Sequence, residues 1–264
     1  MTAALHVETE GRGPALFLLH GWGLHGGVWD TLCPKLAERC RVTRVDLPGH
    51  GRSRAVALPA DLSEAAQLVS AVAPPDAVWL GWSLGGLLAL RAALDAPQHM
   101  RGLALTNTTP RFVTAPDWPA AMPPEQLQEF ADGLAGDYRE TLLRFLSLQV
   151  RGDETARASL RQLREALFDR GEPDPASLAA GLTLLRRSDL RQEAGSLSLP
   201  TLVLAGGYDR LTPPGASGFL ARSIPGAQLE VFPKSAHAPF ISHAEAFAAV
   251  LLEFMRRFET RDVA

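Results

Sequence analysis

The residues with the clearest chemical potential form the segment Gly81-Trp82-Ser83-Leu84-Gly85, which matches the pattern G-x-S-x-G. An apolar run precedes this segment and a helical pattern follows it, which is the strand–turn–helix context that the motif requires. On such a turn the serine hydroxyl projects above the sheet, and the small glycines allow neighbouring backbone to approach. The pattern therefore predicts Ser83 as a nucleophile. For the pentapeptide alone, a Gly-rich turn that merely joins strand to helix is the alternative.

A serine hydroxyl needs a nearby base, and the base needs a third group to orient it. Downstream of Ser83 the chain has three histidines, His99, His237 and His243. His99 lies just past the helix that follows Ser83, and His243 falls in the first turn of the last predicted helix. His237 lies in a loop after the last apolar strand, and catalytic groups collect in such loops of α/β sheets. We therefore predict His237 as the base.

The orienting acid is expected after an earlier strand, because the chain order that goes with this serine turn is Ser, acid, His. The apolar run Thr201–Ala205 predicts a strand, and Asp209 comes just after it. Asp189 is the alternative, but it ends a helical stretch instead of a strand. We predict that Asp209 holds the tautomer of His237 and stabilises the imidazolium without taking the proton.

A tetrahedral intermediate needs two main-chain N–H groups to stabilise its oxyanion. One is predicted at Leu84, directly after the nucleophile, and the other in the first strand–helix loop. That loop reads His20-Gly21-Trp22-Gly23, and Trp22 is the predicted donor. The Trp22 side chain could instead pack as an aromatic lid, and both roles can hold because the donor is main chain.

Composition limits the kinds of partner. The 264 residues are 46% hydrophobic and 21% charged, with a net charge of −3, so we expect a globular core and no nucleic-acid partner. No apolar run approaches the roughly 18 residues of a membrane span, and the N-terminus has no basic region, which predicts a cytoplasmic protein. The two cysteines, Cys33 and Cys40, suit a reducing compartment. We expect no cofactor, no metal ion and a monomer.

Short apolar runs alternate with helical stretches through the first hundred residues. This βαβ alternation predicts an α/β fold with a doubly wound, mostly parallel sheet. The runs that predict strands, including two from the later part of the chain, are Ala15–Leu19, Val42–Asp46, Ala77–Trp82, Gly102–Thr106, Thr201–Ala205 and Gln228–Phe232. The first helical stretch is Val28–Arg39.

The alternation stops between about Pro110 and Ser188, where only helical patterns follow a Pro-rich entry. We predict a helical cap at 111–188, inserted into a core formed by 1–110 and 189–264. Strand–helix alternation resumes with Thr201, so the base and the acid belong to the second part of the core.

Several phrases resemble the α/β-hydrolases along the whole chain and, more narrowly, the pimeloyl-acyl-carrier-protein methyl ester esterases of biotin synthesis. These phrases are His20-Gly21-Trp22-Gly23-Leu24, Trp79 to Leu87, Arg144 to Gln149, Asp189 to Gln192, and Ala236 to His243. The resemblance implies the α/β-hydrolase fold and a Ser83–Asp209–His237 triad. The implied reaction releases methanol and then the free carboxylate through an acyl-enzyme. The implied substrate contacts are Trp22, Ser83, Leu84, Phe145, Leu146, Ser147, Leu148, Gln149 and His237.

The resemblance also implies an acidic partner, the acyl carrier protein, and carrier-facing positions at Arg144, Arg157 and Arg161. Residues 139–164 contain six Arg against three acidic residues, a local charge of +3 that would steer such a partner. From charge alone, a solvated helix face fits equally well. The apolar residues among 145–149 could likewise be ordinary core of a cap helix, and we expect them both to pack and to line the pocket.

Two other functions remain open on the sequence. A broad carboxylesterase for short acyl esters would use the same machinery without a carrier partner. A non-catalytic ligand-binding protein of this fold would keep the pocket without turnover, although the predicted triad argues against it.

Overall fold

The structure, a computed structural model, describes residues 4–259. Its strands are β1 (Val7–Glu10), β2 (Ala15–Leu19), β3 (Arg41–Val45), β4 (Ala77–Trp82), β5 (Met100–Thr106), β6 (Thr201–Gly206) and β7 (Gln228–Phe232). They form a single seven-stranded sheet in the order β1-β3-β2-β4-β5-β6-β7. Strand β1 pairs antiparallel with β3, and every other pairing is parallel. The predicted α/β fold with a mostly parallel sheet is therefore confirmed.

The strands differ in how clearly the sequence predicts them. Every residue of β2, β4 and β6 is buried, as expected for parallel strands that are covered by helices on both faces. Strand β1, with the sequence Val-Glu-Thr-Glu, alternates between exposed and half-buried residues. It was not predicted, because a four-residue polar edge strand has no apolar run to reveal it.

Within residues 4–259 the helices are α1 (Cys33–Ala37), α2 (Leu62–Ser70), α3 (Leu84–Asp95), α4 (Pro124–Gly136), α5 (Tyr138–Gln149), α6 (Ala156–Ala166), α7 (Pro175–Arg187), α8 (Pro214–Ser223), α9 (Pro239–Ser242) and α10 (Ala244–Met255). The prediction of one helix over Val28–Arg39 was wrong. A 3₁₀ turn over Gly26–Trp29 precedes α1. Pro34 stands in the first turn of α1, where the lack of an N–H costs nothing.

Helices α4 to α7 lie between β5 and β6 in the chain, and we call them the helical insertion. Their starts follow local rules. The Asp137 carboxylate accepts the Glu140 N–H at 3.0 Å before α5, and the Asp174 carboxylate accepts the Ser177 N–H at 2.9 Å before α7. Such caps satisfy amide groups that have no partner inside the helix. The division at 111–188 stays a prediction.

The helical insertion is attached to the sheet by a buried cation. Arg170, between α6 and α7, is only 6% exposed at its side chain, and its Nη1 lies 2.9 Å from Glu8 and 3.8 Å from Asp46. Burial would raise the pKa of Glu8, but the hydrogen bond from His6 and the charges of Arg170 and Arg44 outweigh it and lower that pKa to about 2. A charged carboxylate in β1 therefore faces the buried guanidinium of the insertion.

Candidate active site

Ser83 occupies the sharp turn between β4 and α3. Its φ of +54° and ψ of −116° lie in a region that non-glycine residues rarely adopt. A Cβ at Gly81 would lie 2.5 Å from the Gly85 carbonyl oxygen, and a Cβ at Gly85 would lie 2.4 Å from the His20 carbonyl oxygen. Both glycines are therefore required by close backbone approach, which keeps the strained turn in place.

Asp209 and His237 come together at the carboxyl edge of the sheet. Asp209 follows β6 and His237 follows β7, and the Asp209 Oδ2 lies 2.7 Å from the His237 Nδ1. Both side chains are buried. The His237 Nε2 is also buried, and it has no hydrogen-bond partner among residues 4–259. This arrangement fixes the proton on Nδ1 and leaves Nε2 as the basic nitrogen.

The Asp209 carboxylate receives several donors besides His237. Its Oδ2 accepts Asn107 Nδ2 at 2.7 Å and Thr212 Oγ1 at 2.6 Å, and its Oδ1 accepts the main-chain N–H groups of Leu211 and Thr212 at 2.8 and 3.0 Å. Burial would raise the pKa of Asp209, but the charge and hydrogen bond of His237 and these further donors outweigh burial and lower it. The carboxylate therefore stays ionised beside His237.

Two buried histidines join the loop of Trp22 to the neighbouring loop after β3. His20 Nε2 accepts the Leu47 N–H at 2.8 Å, and His50 Nε2 accepts the Gly23 N–H at 3.2 Å. Burial lowers the pKa of His20 well below its ordinary value and that of His50 to about 4. Both rings therefore stay neutral at neutral pH and can accept these hydrogen bonds. His50 therefore holds the main chain of Gly23, next to the predicted oxyanion donor Trp22.

The two predicted oxyanion donors have different surroundings. Leu84 is the first residue of α3, so its N–H has no acceptor inside the helix. In the described chain, no main-chain carbonyl accepts the Trp22 N–H. The Trp22 indole donates to the Leu178 carbonyl of α7 at 2.9 Å, so this side chain packs under the helical insertion while its main chain remains available.

Phe145 of α5 covers Trp22. The two ring centroids are 4.8 Å apart in an edge-to-face arrangement, and Phe130 of α4 packs against the other side of Phe145 at 5.3 Å. A Cβ at Gly181 of α7 would lie 2.6 Å from the Trp22 ring. Three helices of the insertion therefore converge on the loop beside Ser83 and exclude water from it.

The other residues of 145–149 are distributed unequally. Leu146 and Gln149 are buried, whereas Ser147 and Leu148 are half-buried. The Ser147 hydroxyl donates to the Leu143 carbonyl at 2.9 Å, which occupies its proton within α5. The Gln149 Oε1 is buried without a donor among residues 4–259, so it is free to accept a hydrogen bond from a ligand.

The predicted carrier-facing arginines are all exposed. The Arg144 guanidinium lies 6.0 Å from the Phe130 ring centroid, and the Arg161 Nε lies 3.9 Å from Glu165, one turn along α6. Within residues 4–259, no acidic side chain lies within ion-pair distance of Arg157. Arg157 and Arg161 share one face of α6 because they are four residues apart.

The structure places the alternative acid away from the predicted triad and adds two residues that were not predicted. Asp189, the alternative acid, instead pairs with Arg111 at 2.7 Å and Arg191 at 2.8 Å on the surface. Asn107 and Thr212, which bind Asp209, were missed, although both lie close to the ends of predicted strands, where polar residues deserve scrutiny. Asn107 also has a positive φ of 45°.

In the region 4–259, no cluster of His, Cys, Asp and Glu suits a metal ion, and no helix is long and apolar enough to cross a bilayer.

The chain is similar to known proteins along most of its length. Residues 14–244 match the family described as the alpha/beta hydrolase fold, and the chain belongs to that family. It is similar to the pimeloyl-[acyl-carrier protein] methyl ester esterase of Xanthomonas axonopodis pv. citri strain 306, with 48% identity over 95% of this chain and 98% of the relative. The protein of that name from Stenotrophomonas maltophilia strain K279a is 45% identical over 98% of this chain and 99% of its own.

A solved structure gives the same class. The thermophilic esterase from Thermogutta terrifontis is 26% identical, with a TM-score of 0.83 over 97% of this chain and 94% of that one. The predicted family resemblance and the prediction of a carboxylic ester hydrolase are confirmed by these relatives. The protein is therefore an enzyme of the serine esterase class.

Proposed function

We propose that this enzyme hydrolyses the methyl ester of a pimeloyl chain attached to acyl carrier protein. This is the reaction of biotin synthesis that the family resemblance implies. The observation that carries the proposal is the near full-length similarity to esterases named for that substrate. The 2.7 Å contact between Asp209 and His237 beside the strained serine turn supports the chemistry. The proposal also includes a monomeric enzyme.

In the proposed mechanism, His237 Nε2 takes the proton of the Ser83 hydroxyl as its oxygen attacks the ester carbonyl. The oxyanion that forms accepts hydrogen bonds from the main-chain N–H groups of Trp22 and Leu84. The protonated His237 gives its proton to the departing methoxide, so methanol leaves and an acyl-enzyme remains. A water, deprotonated by the same nitrogen, then releases the free carboxylate and restores Ser83.

In this mechanism Asp209 orients His237 and does not exchange a proton itself. Its ionised carboxylate holds the Nδ1 proton of His237 and stabilises the imidazolium after the first proton transfer. Because both side chains are buried, this attraction is stronger than it would be in water. The acyl chain is proposed to lie beneath residues 145–149 of α5, whose aromatic member Phe145 already packs on Trp22.

The carrier is proposed to dock on the exposed arginines of α5 and α6. Arg157 supports this view because it has no acidic partner among the described residues, and Arg144 presents its charge at the surface. A positive surface beside the site would raise the encounter rate with an acidic protein and would lose that advantage at high salt.

The test compares hydrolysis of pimeloyl-carrier methyl ester, followed by mass spectrometry, with hydrolysis of a short p-nitrophenyl ester. The variants are Ser83→Ala and a triple variant with Arg144, Arg157 and Arg161 changed to Glu. A matched control changes three exposed arginines at the opposite, amino edge of β2 and β3 to Glu, namely Arg12, Arg39 and Arg41.

We expect Ser83→Ala to abolish both activities and the insertion variant to lose only the carrier-linked one, with the control resembling wild type on both. If the insertion variant and the control are equally active on the carrier-linked ester, carrier docking on this surface is wrong. Failure of the wild type to cleave the carrier-linked ester, with the short ester still cleaved, would leave a broad carboxylesterase. A wild type that cleaves neither ester and resists labelling of Ser83 by a phosphonate would be a binding protein.

A further inference from the structure

The loop that carries His237 is held on one side by the core. The Ala236 carbonyl accepts Asn107 Nδ2 at 3.1 Å, and the His237 carbonyl accepts the Trp82 indole N–H at 2.8 Å. Asn107 follows β5 and Trp82 ends β4, so these donors belong to the rigid sheet. They fix the two carbonyls but leave both main-chain N–H groups to other partners.

The two N–H groups are instead held by the helical insertion. The His237 N–H donates to the carbonyl of Gln149, the last residue of α5, at 2.9 Å. The Ala236 N–H donates to the Asp153 Oδ2 at 2.9 Å, and the Ser235 hydroxyl lies 3.4 Å from the same oxygen. The backbone of the proposed base therefore lies between two supports, and one of them is not part of the sheet.

Asp153 is an unusual choice for this contact. It is buried, and among residues 4–259 no cation lies within ion-pair distance of it. Its charge is met only by hydrogen-bond donors, with the Thr155 N–H and hydroxyl each 2.8 Å from the Oδ1. A buried carboxylate without a cation is costly unless it is fully hydrogen-bonded. Both oxygens of Asp153 have donors, and these donors belong to two different elements. Oδ1 supports the start of α6, and Oδ2 holds the loop of His237.

We propose that Asp153 is a positioning residue, which holds the Ala236–His237 backbone from the helical insertion and so sets where the His237 ring stands relative to Ser83. The inference rests on the proposed catalytic role of His237. It assigns a role in catalysis to a residue of the insertion that contacts no reacting atom. It also means that the helices presenting Arg144 and Arg157 are connected directly to the base.

The competing explanation is that Asp153 only begins α6. The two roles use different oxygens, so they can be separated by mutation. Thr155→Val keeps the shape of the residue but removes the hydroxyl that binds Oδ1, and it leaves the Ala236 contact unchanged. Asp153→Asn keeps the size of the side chain but presents one acceptor oxygen instead of two, so one of the two elements must lose its bond. Asp153→Ala removes both.

The experiment measures kcat and KM on a short p-nitrophenyl ester, with active sites counted by the end point of phosphonate labelling. We expect Asp153→Ala to lower kcat by about 10- to 100-fold with KM changed less than about twofold, because a displaced base slows chemistry without weakening binding. Asp153→Asn should show a smaller loss in the same direction. Thr155→Val should lower the melting temperature and keep the wild-type kcat.

A second measurement reports on the His237 ring directly and uses the conservative Asn variant, so it does not need Asp153→Ala to fold. The low-field proton NMR signal of the His237 Nδ1–H should broaden in Asp153→Asn and stay sharp in Thr155→Val. The inference is overturned if both Asp153 variants keep kcat within about twofold of wild type, or if Thr155→Val loses as much kcat as they do. Because the short ester needs no carrier, these results stand whether or not the carrier-linked ester is the substrate. Persistent turnover in Ser83→Ala would instead remove the catalytic proposal itself.

Discussion

The two halves of the candidate site are built in different ways. Ser83 follows the buried strand β4 directly, and Asp209 lies in the loop after the buried strand β6. Main-chain geometry fixes the first, and hydrogen bonds fix the second. Phe145 and Arg144 stand on α5, where packing of aromatic rings and exposure of charge decide their positions. The strand-end half is therefore specified by backbone, and the insertion half by side-chain packing.

This difference predicts a division of labour. A change in the strand-end half alters the proton transfers that every ester requires, so it should lower kcat by a similar factor for all substrates. A change in the insertion half alters contacts with the acyl chain or the carrier, so its effect should depend on the ester. Comparing a short ester with a longer or carrier-linked one therefore separates the two halves. The effects expected on catalysis decrease in the order Asp209, Asn107, Phe145 and Glu8.

The largest effect is expected from Asp209→Asn. An amide cannot hold the Nδ1 proton of His237 in the same way, so the ring would lose its tautomer and the stabilisation of its charge. We expect kcat/KM to fall by about 10³- to 10⁴-fold, equally for a short p-nitrophenyl ester and the carrier-linked methyl ester. Steady-state kinetics on both esters measure the ratio.

The matched control is Asp189→Asn, which removes the alternative acid from its pairs with Arg111 and Arg191. Because Asp189 lies in a surface ion-pair network, this variant should keep wild-type kcat. A large loss in Asp189→Asn, or a loss in Asp209→Asn that differs strongly between the two esters, would contradict the division between the halves.

A smaller effect is expected from Asn107→Gly. Glycine accepts the positive φ of this position without strain, so the change removes the amide that binds Asp209 and the Ala236 carbonyl. We expect about a tenfold fall in kcat on both esters, because the carboxylate keeps its other donors. The comparison with Asn107→Ala, which loses the same amide but keeps the strained φ, separates the hydrogen bond from stability through thermal unfolding.

The prediction for the insertion half concerns Phe145→Leu. Leucine keeps much of the apolar volume but loses the edge-to-face contacts with Trp22 and Phe130. We expect KM for esters with a long acyl chain to rise by about three- to tenfold, which corresponds to roughly 1 kcal/mol, while the short ester changes less than twofold. A series of p-nitrophenyl esters of increasing chain length measures this, and an equal change for all lengths would count against the proposed pocket.

The same difference explains what sequence reasoning could reach. The ends of β2, β4 and β7 were predicted at the residues where the structure has them, and the residues proposed as the triad follow strand ends. Local patterns were enough because the serine turn and the Ser, acid, His order depend on backbone geometry. Helical patterns were also predicted between about Pro110 and Ser188, where the structure has α4 to α7, because amphipathic spacing is a local signal.

What could not be predicted depends on partners that lie far apart in the chain. The bond from Asn107 to Asp209 spans 102 residues, and that from Ala236 to Asp153 spans 83. No local sequence pattern predicts either pair, because each residue alone is indistinguishable from an ordinary polar residue in a loop. The ion pairs of Arg170 with β1 were missed for the same reason, together with the short polar strand itself.

The smallest effect on catalysis is expected from Glu8→Gln, which tests this attachment of the insertion through stability. The pKa of Glu8 falls from 4.5 to about 2 in the folded protein, so unfolding takes up a proton between these values. The contribution of Glu8 to the free energy of unfolding is therefore present above about pH 4.5 and is lost as the pH falls towards 2. Wild type should lose stability over that range more steeply than Glu8→Gln, which is expected to be about 1 to 2 kcal/mol less stable at pH 7.

Urea unfolding at several pH values measures these curves, with Glu38→Gln as the control because Glu38 is exposed and lies in α1's C-terminal cap. The control should follow wild type throughout. Parallel curves for Glu8→Gln and wild type would mean that Arg170 does not depend on this carboxylate. At pH 7, kcat on the short ester should be unchanged in Glu8→Gln, since no strand-end contact is altered. A loss of kcat there would show that the attachment of the insertion affects His237, the proposed base, through the contacts that Asp153 and Gln149 make with its loop.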